Sequence, residues 1–570
     1  MKFKFFFISL LFGILAINLF YGACTKSLTT DEPFHLAAGL SYLKTSKFSI
    51  NPEHPPLIKL LAATIPYLRK KIILPKGDIK SYFELIMFIV RSIRLNCTHI
   101  DFLTITARFF PILITMFLGF LIYKMAKDLY GEIGGLSSLF IFCFEPTFLA
   151  HGKLIHTDVG ASFFYLLYFY ALYKVFLRPC LFYFFILSIV LGLSLITKFS
   201  MLILVPIHFL VIIFMPFKRE WRKFWLVMPF MVFIPWLILC ASYFFKISRV
   251  SGEEVGLIAK WFSLPERTLQ FIRYIPIYLP PDFIRGIDLV WEHNHVGHWA
   301  YLLGRYSKMG WWYYFPLALC LKESIPILIC FFSGLIYCLL NLKRDKKDLF
   351  IILPIFYYSI FAFSSHINIG IRHYLPVFPF LIIGSGGFCS YLIQKKSYWQ
   401  IFIVLILIWS ALEAVRAFPH YISYFNPIAG GYEKGWRKLS DSNAEWGQDI
   451  KILAKFCKKN HINEIEAYCA SGWLLPCYGI KFRFFSPLRE IYLKKWGRET
   501  VSFIEGHPSS EGKNSPYLAI GSSFLIIPPQ AAMPEISASE AQIIEKKLLL
   551  FQKRRPVAVI GKTIFLFRKE

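Results

Sequence analysis

The chain alternates long apolar runs with short polar breaks from its first residues to about residue 417. Each run of roughly 20 apolar residues is long enough to cross about 30 Å of hydrocarbon as a helix. The pattern predicts about eleven transmembrane helices, over 5–23, 104–124, 133–150, 158–177, 181–197, 200–217, 224–245, 311–340, 349–364, 374–394 and 399–417. The pair 181–217 is divided only by Thr197 and Lys198. Met-Lys-Phe-Lys before the first run resembles a signal peptide, but with so many runs following, an uncleaved first helix is expected. After residue 417 the pattern changes. DIKILAKFCKKN (449–460) has helical spacing, and EIEAYCA, PYLAIGSSFLI and PVAVIGKTIFLF have the pattern of short strands. The expected architecture is an α-helical polytopic membrane domain over 1–417, with outer loops 24–103 and 246–310, and a small α/β domain over 418–570.

The basic residues give this array a direction. Lys2, Lys4, Lys124, Lys127, Arg178, the run KREWRK (218–223), the run KRDKKD (343–348), Lys395 and Lys396 all fall on one side. The positive-inside rule makes that side cytoplasmic and places both long loops and the tail outside. This also accounts for the charge balance of 63 Lys+Arg against 35 Asp+Glu. In a soluble chain such an excess would suggest nucleic acid; here it sets orientation and meets anionic head groups. No nucleic-acid motif and no CxxC pair occurs. Cys469 and Cys477 both lie in the tail, where a disulfide between them is one option.

The informative polar residues lie at the outer ends of the predicted helices. TTDEPFH (29–35) follows the first span and NPEHPPLIK (51–59) the first turn of the outer loop. HGKLIHTD (151–158), Lys198 and SSHINIGIRHYLP (364–376) fall at the same level. Ionisable groups beside hydrocarbon are costly, so a convergent set marks a candidate site. A carboxylate can take a proton from a hydroxyl, and Arg or Lys can hold a departing phosphate. The chemistry expected at this depth is sugar transfer from a lipid phosphate, and no Gly-rich loop for a soluble nucleotide sugar occurs. Glu32, next to Pro33, also suits the first turn of a helix, where a carboxylate is favoured electrostatically. In WEHNHVGHW (291–299), His293, His295 and His298 could bind a metal or belong to a loop near a substrate. WWYYF (311–315) suits an interfacial aromatic belt better than a sugar platform. SDSNAEWGQD (440–449) suits a helix cap at Asp449 slightly better than a cover over the site.

Those same stretches carry a family resemblance. DEPFHLAAGLSYLKTSKFSINPEHPPLIKLLA (31–62), LAHGKLIHTDVGASFF (149–164), GLSLITKFSMLILVP (192–206), GWWYYFPLALCLKESIP (310–326), INIGIRHYLPVFPFL (367–381) and YFNPIAGGYEKGWRKLSDSNAEWGQDIK (424–451) resemble the phospholipid-carrier-dependent glycosyltransferases. These are relatives of the dolichyl-phosphate-mannose protein mannosyltransferases and of the aminoarabinose transferase acting on lipid A. The resemblance implies a GT-C fold, a polyprenyl-phosphate sugar donor, and inversion at the anomeric carbon. The acceptor would be a protein hydroxyl, a lipid or an envelope glycan, and the setting a bacterial inner membrane. It implies catalytic roles for Asp31, Glu32 and Asp158. Donor-phosphate contacts would come from Arg372 and His373, with Lys198, Lys59 and His54 as further candidates. A divalent cation is compatible with these carboxylates but not required by them. Two other readings of the chain are a transporter or flippase of a lipid-linked sugar and a non-catalytic scaffold presenting the tail. The first should place polar groups at mid-membrane and show internal repeats; the second would have no use for Asp31.

Overall fold

The computed structural model describes residues 2–69, 72–75, 79, 81–214, 227–250, 278–395, 397–506, 515–533 and 535–569. The basic run 218–223 and residues 251–277 of the loop 246–310 therefore lie outside the described residues. The protein is an integral membrane protein built mainly of helices. Among the described residues, five helical segments are long and apolar enough to cross a membrane: 4–25, 97–143, 157–177, 371–393 and 397–417. Shorter apolar helices cover 181–195, 199–214, 228–242 and 325–341.

Most predicted spans appear as helices, with three instructive differences. The spans at 104–124 and 133–150 form one continuous run, Ile100–Cys143, interrupted only at Gly131. Its φ of 78° lies in the left-handed region that glycine occupies without a Cβ clash. The run then stops at Cys143, and the Glu145 side chain accepts from Thr147 N (2.7 Å) and Phe148 N (2.6 Å) to start the short helix Pro146–His151. The predicted span 311–340 is two helices, Tyr314–Lys322 and Ile325–Asn341. Ser324 between them is extended and Pro326 starts the second helix. Lys322 makes this break possible within apolar surroundings. Its ammonium donates to the carbonyls of Ile422, Tyr424 and Asn443, and it lies 4.3 Å from the Phe425 ring centroid.

The first outer loop contains its own helices, Glu32–Thr45, Leu57–Leu68 and Tyr82–Arg94. The tail forms a five-stranded sheet in the order 481–484, 464–468, 517–521, 564–568, 558–560. The first three strands run parallel, and the last two join as an antiparallel hairpin, the two halves of PVAVIGKTIFLF. The stretch 449–460 forms the expected helix, Ile450–Lys459. The tail does not stand apart from the loop: Leu36, Ile93 and Leu103 share one buried cluster with Leu453, Ile465 and Ala519. A covalent tie follows the same seam. Cys477 bonds to Cys97 of the first loop, not to Cys469, which is free. The pairing joins residues 380 apart in sequence, and proximity across the seam, not spacing along the tail, decides it.

The loop is also locked to the membrane helices by a fully buried ion pair. Arg108, within the Ile100–Cys143 run, meets Glu32 through Nε–Oε1 (2.8 Å) and Nη2–Oε2 (2.6 Å). The remaining guanidinium hydrogens go to the carbonyls of Ala23, Lys26 and Ser27. Removing one partner of such a pair strands a charge at a cost of about 3–5 kcal/mol. Arg108→Met is therefore expected to lower the unfolding temperature in detergent sharply, whereas the double change Arg108→Met with Glu32→Gln recovers part of the loss. In the same preparation, non-reducing peptide mapping should recover a peptide joining Cys97 to Cys477 and none joining Cys469 to Cys477.

Candidate active site

Asp31 and Glu32 are adjacent in sequence but face different surroundings. Glu32 is fully buried. Besides Arg108 it accepts from Thr29 N (2.8 Å) and Ile155 N (3.0 Å). Burial alone would raise its pKa, but Arg108 and these N–H groups outweigh it and hold the carboxyl below its usual range. Its oxygens are engaged by these donors, and it lies apart from the contacts of Asp31 with Arg372. Asp31 sits at the start of helix Glu32–Thr45 without capping it. Its carboxylate turns instead to Arg372, 3.0 Å away, and stays 34% exposed.

Arg372 is the centre of the cluster. It contacts Asp31 through Nη2 and Asp158 through Nη1 (3.4 Å), and its Nε donates to Ser442 Oγ (3.2 Å). The guanidinium lies 4.2 Å from the Trp446 ring centroid, a cation–π distance. Asp158 is 2% exposed; its carboxylate is held by Lys198 Nζ and Arg372, and its backbone N–H donates to His156 Nδ1 (3.1 Å) at the start of helix Thr157–Leu177. Residues from the first loop, from both ends of the polar turn 151–158, from Lys198 and from 364–376 thus do converge. Asp31, Asp158, Lys198 and Arg372 form one connected set of charges.

The other expected residues divide. His373 stays beside the cluster, with a buried Nε2 that has no protein partner among the described residues. His54 stacks against His35, ring centroids 5.0 Å apart. Burial, reinforced for His35 by the nearby Lys59 charge and for His54 by His35 and then Lys59, holds both imidazoles well below their usual range. Lys59, by contrast, is fully buried and donates to Tyr42 Oη (3.1 Å) and to the carbonyls of Asn51 and His54. Two of its hydrogens go to the turn 51–54 and one to Tyr42, so its ammonium serves that turn in this structure and does not face the charged cluster. His293 and His298 hydrogen-bond to each other at 2.9 Å, and His295 is exposed. Among the described residues no three His, Cys, Asp or Glu side chains gather to hold a metal ion.

Two parts of the site were not singled out from sequence, and a third was read slightly in favour of a different role. His151 and His156 flank the Trp446 ring, each centroid 6.1 Å away. Their stretch was in view, but their role depends on a ring some 290 residues further along the chain. Arg108 carried a signal, an arginine inside an apolar run. The stretch 440–449 is the third. Asp449 does precede helix Ile450–Lys459, but its side chain makes no cap; it pairs with Lys26 and accepts from Thr563 Oγ1 (2.8 Å). The stretch instead covers the cluster. Thr30 N donates to Trp446 O (3.0 Å), Ser27 N to Gln448 O (3.1 Å), and Ile371 N to Asn443 Oδ1 (2.9 Å). A Cβ on Gly370 would come within 2.1 Å of Ser442 Oγ, so glycine is required for this approach. WWYYF also splits: Trp312 is exposed, whereas Tyr314 is buried and accepts from Asn443 Nδ2 (2.9 Å).

Comparison with known proteins follows this geometry. Residues 93–242 match the family model of the dolichyl-phosphate-mannose-protein mannosyltransferases. The matched segment carries Arg108, His156, Asp158 and Lys198; Asp31 and Arg372 lie outside it. No curated protein sequence matches the chain significantly. Similar solved structures include apo ArnT from Cupriavidus metallidurans, at 11% identity and TM-score 0.46, covering 98% of this chain and 97% of that one. ArnT from the same organism bound to undecaprenyl phosphate gives 11% identity and TM-score 0.44, with the same coverage. The apo oligosaccharyltransferase of Archaeoglobus fulgidus gives 10% identity and TM-score 0.45, covering 91% of this chain and 69% of that one.

The covering stretch also carries a titrating carboxyl. Glu445 is buried against Gly521, and burial pushes it up to about 8 against the opposing N–H groups of Gly447 and Ala470. A carboxyl with a raised folded value binds its proton more tightly in the folded state. Its contribution to stability is then greatest below the unfolded value, 4.5, and declines as pH rises toward about 8. Glu445→Gln should leave the unfolding temperature near wild type at pH 5 and raise it at pH 8.

Proposed function

We propose that the chain is a membrane glycosyltransferase of the GT-C type. It moves a sugar from a polyprenyl-phosphate donor to an extracytoplasmic acceptor with inversion. The observation that carries this reading is the contrast between the two carboxylates on Arg372: Asp31 is 34% exposed and Asp158 is 2% exposed. One carboxylate faces outward beside a cation, and the other is consumed in holding the cations. The match of residues 93–242 to the mannosyltransferase family model supports the same reading.

In this mechanism Asp31 takes the proton of the acceptor hydroxyl. The acceptor oxygen attacks the anomeric carbon from the face opposite the phosphate. The bond from that carbon to the phosphate oxygen breaks, and its electron pair leaves with the polyprenyl phosphate. Arg372 and Lys198 stabilise the charge that grows on the departing group. Asp158 positions both cations, and His156 fixes the backbone there by accepting from Asp158 N. Trp446 covers the guanidinium and reduces its contact with water, which strengthens its field at the reacting atoms. The N-terminus lies in the cytoplasm, the site and tail lie outside, and a bacterial inner membrane is the setting that fits the sequence resemblance.

The test is transfer by purified protein in lipid, with radiolabelled polyprenyl-phosphate sugars and a crude envelope fraction. Asp31→Asn is expected to reduce transfer by about 10²–10⁴-fold without lowering the unfolding temperature. Glu32→Gln should lower the unfolding temperature instead. Transfer that survives Asp31→Asn at the wild-type rate removes Asp31 as base. Donor movement across the bilayer without transfer replaces the enzyme with a carrier.

A further inference from the structure

Two acidic side chains that the proposed chemistry does not use meet where two helices break. Glu145 lies just past the end of the run Ile100–Cys143, and Glu323 lies between helices Tyr314–Lys322 and Ile325–Asn341. Both are fully buried. Glu145 has a donor on each oxygen, Thr147 N (2.7 Å) and Phe148 N (2.6 Å). Glu323 Oε1 accepts from Thr147 Oγ1, and its carboxyl is in hydrogen-bond contact with that of Glu145. Among the described residues, Glu323 Oε2 and the neighbouring Ser324 Oγ meet no hydrogen-bond partner. Two ionised carboxylates cannot bond to each other, because each only accepts, and like charges in contact away from water repel strongly. One proton removes both conflicts. The two N–H groups favour charge on Glu145, so the acid of the pair is Glu323. Lys322 gives its three hydrogens to carbonyls and is therefore an ammonium. With one proton the buried set Glu145, Glu323 and Lys322 is neutral; without it, the set carries a net negative charge in apolar surroundings.

We propose that Glu145 and Glu323 share one proton, and that this proton clamps the two helix breaks together and so holds the cover over Arg372 in a pH-sensitive way. The link to the cover is short. Lys322 donates to Asn443 O (2.7 Å), Asn443 Oδ1 accepts from Ile371 N (2.9 Å), and Arg372 is the next residue. The other titratable groups around the pair are Lys322 itself, Tyr424 after the last span, whose hydroxyl donates to Glu413 (3.2 Å), and His151 at the end of helix Pro146–His151. As pH rises, the O–H bond of Glu323 breaks, its proton passes to hydroxide, and the electron pair stays on the oxygen. The two carboxylates then repel, and the break at 322–324 moves away from Thr147, taking Lys322 and Asn443 with it. The stabilisation is present at neutral pH and is lost on the alkaline side, the sign expected for a carboxyl that binds its proton more tightly when folded.

The experiment uses the full chain in lipid nanodiscs. The infrared difference between wild type and Glu323→Gln at neutral pH should show the carbonyl stretch of a protonated carboxyl in wild type only. That band should shift in deuterium oxide and vanish as pH rises. In Glu145→Gln the opposing carboxylate is gone and Lys322 remains, so the band should vanish at lower pH than in wild type. The unfolding temperature of Glu323→Gln should match wild type at neutral pH, because the amide still donates to Glu145, and exceed it at alkaline pH. Transfer by wild type, which rests on the transferase reading above, should fall over the pH range in which the band vanishes. The fall should lie in kcat rather than KM and be absent from Glu323→Gln. Identical neutral spectra for wild type and Glu323→Gln, or the same alkaline fall in unfolding temperature or in transfer for both, overturns the proposal. If Glu323→Gln does not fold, the titration of Glu145→Gln decides, and a band lost at the wild-type pH overturns it. Spectra and unfolding temperatures are recorded without donor, so absence of transfer defeats the transferase reading alone.

Discussion

The buried pair of Glu32 and Arg108 is the constraint on which the placement of every other group depends. A carboxylate and a guanidinium removed from water are tolerated only when their hydrogen-bonding capacity is met. Here it is met by the backbone at the exit of the first helix and by the turn at Ile155. The pair therefore fixes three segments at once: the end of helix Lys2–Thr25, the start of the outer loop, and the turn that leads to Asp158. Asp31 is the next residue along the chain, and its position follows. Two acidic residues stand side by side because one anchors the backbone and the other is carried into the site by that anchor.

The same division between anchoring and available charge recurs through the cluster. Lys59 and Lys322 are buried cations whose hydrogens go to main-chain carbonyls, apart from one that Lys59 gives to the Tyr42 hydroxyl. Each lets the chain turn sharply in apolar surroundings, where unpaired carbonyls would be costly. Arg372 and Lys198 pair with carboxylates instead, and Arg372 retains an aromatic face on Trp446. Residue type does not separate the two groups. The separating feature is whether the partners are main-chain oxygens of a tight turn or side chains drawn from distant segments.

This explains how much of the molecule could be read from sequence. The spans were legible because hydrophobicity over 20 residues is a local property. The break at Lys322–Ser324 was not, since it depends on carbonyls 100 and more residues away. The tail strands were legible from alternation, but their docking on the first loop was not, and the partner of Cys477 followed from that docking. In the site, Asp31, Asp158, Lys198 and Arg372 could be grouped because all lie at helix ends of the same predicted level. Lys59 and Glu32 lie at that level too, and nothing local reveals that their hydrogen bonds are already spent. Trp446 and Ser442 required the tertiary structure, because only Gly370 and the pairing of Thr30 with Trp446 bring 440–449 over the cluster.

That cover changes how the tail should be understood. A tail attached by a flexible linker could be lost without altering chemistry in the membrane helices. Here the stretch 440–449 supplies the ring over Arg372, a hydroxyl to its Nε, and the backbone partners of residues 27–30. Lys26 reaches back to Asp449 in the same seam. The tail thus completes the wall of the cluster, and the segments that follow strands 517–521 and 464–468 hold that wall: Ser523 Oγ accepts from Asp441 N (3.1 Å) and donates to Glu445 O (3.3 Å), and Ala470 N donates to the Glu445 carboxylate (3.5 Å). A group that must exchange one charge for another, without admitting water between turnovers, needs a lid whose position is set by a rigid body. The sheet is that body, and its contacts with the loop carry its rigidity to Arg372.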